Sequence, residues 1–172
     1  EFIRERLANL MKERGYTANE VAAVLEVQSD ESKPDRLDLV PAKLEAVRAF
    51  GKLPEAASLA AANKRISNIL RQAQQKGEPY ELLGGAFDGE PLESELHAAL
   101  GKASSVAGPQ FEGGDYTGYL KSFSILKAPV DAFFDGVMVM ADDAAVRRRR
   151  LSLLHTLRHE MNRVADIARL AA

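Results

Sequence analysis

The 172-residue chain contains no cysteine and no tryptophan, and aromatic residues make up only 6% of it. The first absence excludes disulfides, thiolate metal sites and cysteine nucleophiles, and is compatible with a reducing, cytoplasmic setting. β-Branched runs and period-two alternation are nearly absent, which argues against strands. No apolar stretch approaches the roughly 18 residues that cross a bilayer, so no membrane partner is expected. The opening EFIRERL has neither an initiator Met nor a signal-peptide pattern, and the chain reads as a piece of a longer protein. What the chain does have is Leu and Ala, within a hydrophobic content of 46%. That content can build a sizeable core, and the composition favours an all-α domain.

Apolar spacing and helix punctuation place the elements. Phe2 to Arg14 reads as a helix closed by Gly15, and Thr17 with Glu20 forms a capping box that opens Ala18 to Val27. Ser29 to Pro34 is a polar loop; the period resumes from Asp35 to Phe50, with a helix start near Pro41 and a stop at Gly51. Pro54 suits the first turn of a helix running to Gln75. Two further helices are predicted over Leu92 to Ala107 and Gln110 to Leu126, and a short one from Pro129 through VDAFFDGVMVM, apolar almost all round. Asp142 is expected to cap a last helix reaching Leu170. The expectation is a single domain, residues 1–172, forming a bundle of about seven helices. Gly77 to Pro91, with four glycines and two prolines, reads as a flexible acidic loop.

Charge is unevenly distributed around a formal net of −2. Residues 61–76 hold four Lys or Arg and no acid, whereas Glu78 to Glu95 holds six acids and no base. In AANKRISNILR, Leu59, Ala62, Ile66, Ile69 and Ala73 fall on an apolar side, and Lys64, Asn68, Arg71 and Gln75 on a cationic, amide-rich one. Phosphate binding and ordinary solvation both fit that face. Arg147 to Arg150 is the second basic feature, and four consecutive helical residues cannot face one way. Arg150 is in phase with Leu154, Leu157 and Met161, which predicts an internal ion pair with Asp131 or Asp135. Arg147, Arg148 and Arg149 then remain for phosphate or for solvent, with Tyr80, Tyr116 and Tyr119 as candidate stacking partners for unpaired bases.

Catalytic chemistry finds little support. His155 and His159 stand at i, i+4, but Thr156 replaces the Glu of a metalloprotease motif and neither His97 nor another residue supplies an evident third ligand. No metal site is expected. Asp131 and Asp135 share that spacing without a nucleophile beside them, and no GxxxxGK[ST] phosphate loop occurs.

AANKRISNILR followed by PVDAFFDGVMVMADDAAVRRRRLSLLHTLRHEMNRVADIARL resembles the C-terminal segment of bacterial glycyl-tRNA synthetase beta subunits. FIRERLANLMKERGYTANEVAAVL and LEAVRAFGKLPEAASLAAANKRISNIL match the same region in the same order. The final third is also similar to the DALR-type anticodon-binding domain shared with arginyl- and cysteinyl-tRNA synthetases. One departure is visible: Arg149-Arg150-Leu151 stands where the family usually reads Asn-Arg-Leu.

The resemblance implies a DALR-like helical domain, non-catalytic by itself, inside a bacterial cytoplasmic ligase. ATP and Mg2+ would serve glycine activation in the alpha subunit. The implied partners are the tRNA-Gly anticodon stem-loop, the remainder of the beta subunit and the alpha subunit, with neither DNA nor a membrane among them. Under that implication, face and charge assign phosphate contacts to Lys64, Arg71, Lys76, Arg147 and Arg148. Arg65, Asn68 and Arg149 become candidates for base edges. The alternatives are a protein-docking domain within the synthetase assembly, a hydrolytic metalloenzyme, or the DALR domain of an arginyl-tRNA synthetase.

Overall fold

Helix ends follow the caps and glycines of the sequence more closely than its prolines. The computed structural model describes residues 1–27 and 36–171, so the loop expected over 29–34 lies outside the described residues. Among the described residues, eight α-helices follow in order: α1 (Phe2–Glu13), α2 (Ala18–Val27), α3 (Val40–Gly51), α4 (Ala56–Gln75), α5 (Pro91–Glu112), α6 (Tyr116–Ser122), α7 (Lys127–Gly136) and α8 (Ala144–Met161). Short 3-10 turns occupy Leu37–Leu39, Phe123–Leu126 and Ile167–Leu170. There is no strand among the described residues. No helix there is long and apolar enough to cross a membrane.

The predicted capping box at α2 is present. The Thr17 N–H donates to Glu20 Oε2 at 2.8 Å, and the Glu20 N–H to Thr17 Oγ1 at 3.1 Å. Several boundaries differ from expectation. The helix expected over 110–126 is α6, from Tyr116 to Ser122, followed by a 3-10 turn, and the one expected from Pro129 through Met140 is α7, which starts at Lys127 and stops at Gly136. α5 runs straight through Pro109 to Glu112. The break falls at Gly113-Gly114, where Gly114 takes a φ of +81° that a side chain would resist. Asp143, not Asp142, caps α8, accepting from the Ala145 and Val146 N–H groups at 2.9 and 3.0 Å.

The last helix also stops at Met161 and not near Leu170. The cause is Asn162, whose Nδ2 donates to Arg158 O at 2.7 Å and whose Oδ1 accepts from the Ile167 N–H at 2.8 Å. That amide offers the backbone an alternative to the next helical turn. The chain then turns so that Ile167–Leu170 packs on α4 and α2.

α5 lies at the centre, touching α6, α7 and α8. Phe50, Tyr119, Phe123, Phe133, Leu96 and Leu126 are among the fully buried side chains, and burial of such groups stabilises by about 1.5–3 kcal/mol each. α4 lies along the side of this core, flanked by α7 and α8. One long face of α4 is therefore left to solvent.

Candidate nucleic-acid interface

α4 presents its apolar stripe inward through Leu59, Ile66, Leu70 and Ala73, all buried. The opposite side carries Lys64, Arg65, Asn68, Arg71, Gln75 and, at the C-cap, Lys76, all exposed. Asn68 Oδ1 accepts from Arg71 Nη2 at 2.9 Å. Among the described residues, none of Lys64, Arg65, Arg71 and Lys76 makes an ion pair. Four cations thus lie on one helix with no acid to neutralise them.

The arginine run is the opposite case. Arg147 Nε bonds Glu78 at 2.9 Å and its Nη1 donates to Ala141 O at 2.8 Å. Arg148 meets Glu81 at 2.9 Å. Arg149 holds Glu93 through Nε and Nη2 at 2.8 and 3.0 Å, the bidentate geometry that strengthens such pairs. The run expected to be available for RNA is therefore matched, residue by residue, to the acidic segment. Only Arg148 keeps a half-exposed side chain, at 50%.

Arg150 is buried, as its helical phase requires, at 8% exposure. Its partners are not Asp131 or Asp135. Nη1 donates to Met138 O at 2.7 Å, Nη2 to Glu90 at 3.1 Å, and Nε lies 3.6 Å from Glu93 Oε1. Asp131 is instead held by Lys127 Nζ at 2.9 Å and Ser58 Oγ at 3.3 Å, while Asp135 is exposed. The i, i+4 lysine on its own helix and the adjacent α4 reach Asp131 first, and α5 delivers its N-terminal carboxylates to Arg150.

The acidic segment, read as a flexible loop from its composition, lies against α8. Besides its carboxylates, its backbone is tied to α8: the Glu81 N–H donates to Ser152 Oγ at 3.0 Å and the Leu83 N–H to Thr156 Oγ1 at 2.9 Å. Glu93 anchors it. This residue is wholly buried, closes a capping box with Glu90 at the start of α5, and receives two arginines. Burial alone would lift its carboxyl, but the bonds from Arg149 and the Glu90 N–H outweigh that and hold it below the ordinary value.

Two of the tyrosines considered for base stacking are in the core: Tyr116 and Tyr119 are 9% and 1% exposed. Tyr119 donates to Glu160 O and accepts from the Arg163 N–H. Tyr80 is half-buried, edge-on to His155. Burial, with the charges of His159 and Arg158, pushes the His155 imidazole below its usual range. Among the described residues, no group of three His, Cys, Asp or Glu is placed to hold a metal.

Two further residues bear on the site. Arg158 of α8 donates to Ser67 Oγ of α4 at 2.9 Å and makes no ion pair among the described residues, which adds a cation at the edge of the α4 face. Its position one turn after Leu154, flanking the core stripe, was the available signal. Asn63 is 1% exposed, and its Oδ1 accepts from Asn162 Nδ2 at 2.8 Å while its Nδ2 donates to Leu59 O at 3.2 Å. Its phase between Leu59 and Ile66 marked it as inward. The first amide of NKRISN thus locks α4 to the end of α8 and takes no part in the exposed face. Asn63→Ala is expected to cost about 1–3 kcal/mol in urea unfolding, while leaving the salt dependence of any RNA binding unchanged.

The DALR anticodon binding domain matches residues 59–168, from α4 to the final 3-10 turn. The chain is 54% identical over 175 residues to the glycine–tRNA ligase beta subunit of Thiobacillus denitrificans, an alignment covering 99% of this chain and 23% of that protein. It is 49% and 51% identical to the glycine–tRNA ligase beta subunits of Delftia acidovorans and Leptothrix cholodnii, over 100% of this chain and 23% of each. The chain therefore spans about a quarter of the length of these relatives.

Proposed function

The chain belongs to the DALR anticodon binding domain family, and on that premise we propose that it recognises the anticodon stem-loop of tRNA-Gly for a glycine–tRNA ligase. The observation that carries this reading is the acid-free outer face of α4, with Lys64, Arg65, Arg71 and Lys76 unpaired among the described residues. Unpaired surface cations release counterions on meeting phosphate, and their neutralisation costs no existing ion pair. Lys64, Arg71, Lys76 and Arg158 position the RNA backbone, and Arg148 supports them by exchanging the exposed Glu81 for phosphate. Asn68, already oriented by Arg71, offers its amide to a splayed base. Arg147 and Arg149 serve the fold through Glu78 and Glu93.

In this reading the chain forms part of a cytoplasmic beta subunit, and glycylation with ATP and Mg2+ belongs to the alpha subunit. Identities near one half to beta subunits of glycine–tRNA ligases favour that setting over an arginyl-tRNA synthetase. The test is a fluorescence titration of the chain with the tRNA-Gly anticodon stem-loop and with the same stem-loop carrying an altered anticodon. The native loop is expected to bind at least about tenfold more tightly, the worth of one well-read base. Equal affinities would reduce the face to a nonspecific RNA surface, and no binding at all would reject the reading.

A docking role for another face has its own observation. α1 exposes Phe2 and Ile3 at 69% and 70%, with Leu10 on the same helix at 43%. Apolar groups gathered in this way mark a surface that another protein part covers. In this reading that part is the remainder of the subunit, and the α4 face stays available to RNA.

A further inference from the structure

On the α7 side of the basic stripe, the Arg65 guanidinium carbon sits over the ring of Phe134, 4.2 Å from its centroid. Other arginines also cover aromatic rings, but in different circumstances. Arg163 lies 3.9 Å from the Phe111 centroid and bonds Glu112 at 3.4 Å. Arg48 lies 4.3 Å from Tyr16 and donates to Glu20 and to Gly15 O at 3.0 and 2.7 Å. Arg6 stands off at 5.3 Å from Phe2 on the remote α1. Among the described residues, only Arg65 combines a close ring contact with a guanidinium that has no protein hydrogen-bond or ion-pair partner, and its side chain is exposed.

That combination has a chemical meaning. The cation–π contact restrains a long side chain that would otherwise sample many rotamers, so less freedom is lost when a ligand arrives. A guanidinium is planar, and its second face can stack on a nucleobase while its N–H groups stay available at the edge. Lysine carries the same charge without the plane. Lys64 and Asn68, the neighbouring positions of the stripe, are exposed beside it.

We propose that Arg65, mounted on Phe134, is a stacking platform for one unpaired nucleobase of the bound RNA loop, with Phe134 acting as a positioning residue through Arg65. This rests on the RNA-binding reading above and gives Arg65 a different role from an edge-reading contact.

The full chain is titrated with the tRNA-Gly anticodon stem-loop and with its stem alone as a blunt duplex. Arg65→Lys is expected to weaken stem-loop binding about tenfold, within the range of one base stacked on a side chain. It should leave blunt-duplex affinity and the salt slope unchanged, because the charge is kept. Phe134→Leu should weaken the stem-loop in the same direction, and the double variant should bind no worse than Arg65→Lys alone. Parent-like binding of the stem-loop by Arg65→Lys would overturn the platform, as would an equal loss for loop and duplex. Failure of the parent chain to bind the stem-loop would overturn the RNA reading itself, and is separately visible.

Discussion

Glu93→Ala is expected to destabilise the protein by about 3 kcal/mol or more in urea-induced unfolding. The carboxylate is fully buried, and its removal strips the partner from Arg149 Nε and Nη2 and takes from buried Arg150 one of its two acids, leaving Glu90 alone. It also opens the capping box, because the Glu90 N–H donates to Glu93 Oε2 at 3.0 Å. Breaking one side of a buried pair costs far more than the pair contributes against water, since the surviving charge stays desolvated. Glu81→Ala is the contrast. Its pair with Arg148 is exposed on both sides, so a loss under about 1 kcal/mol is expected. A Glu93→Ala protein as stable as the Glu81→Ala one would remove the central role given to this carboxylate.

The same residue sets an acid limit. The folded pKa of Glu93 lies below its ordinary value of 4.5. Its stabilising share is therefore complete above that value and is lost as pH falls through the lower folded pKa. Glu93→Gln should be less stable at neutral pH and should show a shallower loss of stability as pH falls below about 4.5. Thermal melts across that range measure the difference.

The second large effect falls on binding. Lys64→Ala combined with Arg71→Ala is expected to weaken stem-loop affinity by about 10- to 100-fold at low salt, and to lower the salt slope by roughly 1.4 to 1.8. Folding should be nearly untouched, within about 0.5 kcal/mol, because both side chains are exposed and neither is ion-paired among the described residues. Arg147→Ala gives the mirror result: lost stability through Glu78, with the salt slope preserved. An unchanged slope in the Lys64/Arg71 variant would move the RNA contact off α4.

Much of the helix order and the α4 face could be read along the chain. The Thr17–Glu20 box, the Gly15 stop and the inward phase of Arg150 all lie within a turn or two of the residues that explain them. The Asn162 break in α8 could not be read that way, because one of its three side-chain hydrogen bonds goes to Asn63 on another helix. The same holds for Tyr119, whose hydroxyl bonds Glu160 O, 41 positions away.

The two basic features divide on this point. Each is an acid-free cationic run, and by charge alone Arg147–Arg150 looked as available to RNA as Lys64–Arg71. Helical period and composition by themselves determined that both lie on amphipathic helices of an all-α domain, since that pattern repeats every 3.6 residues. Only the tertiary structure decided that Glu78, Glu81, Glu90 and Glu93 lie along α8 and leave α4 bare. Those pairs join side chains 56 to 69 positions apart, so they depend on how the chain between them folds back.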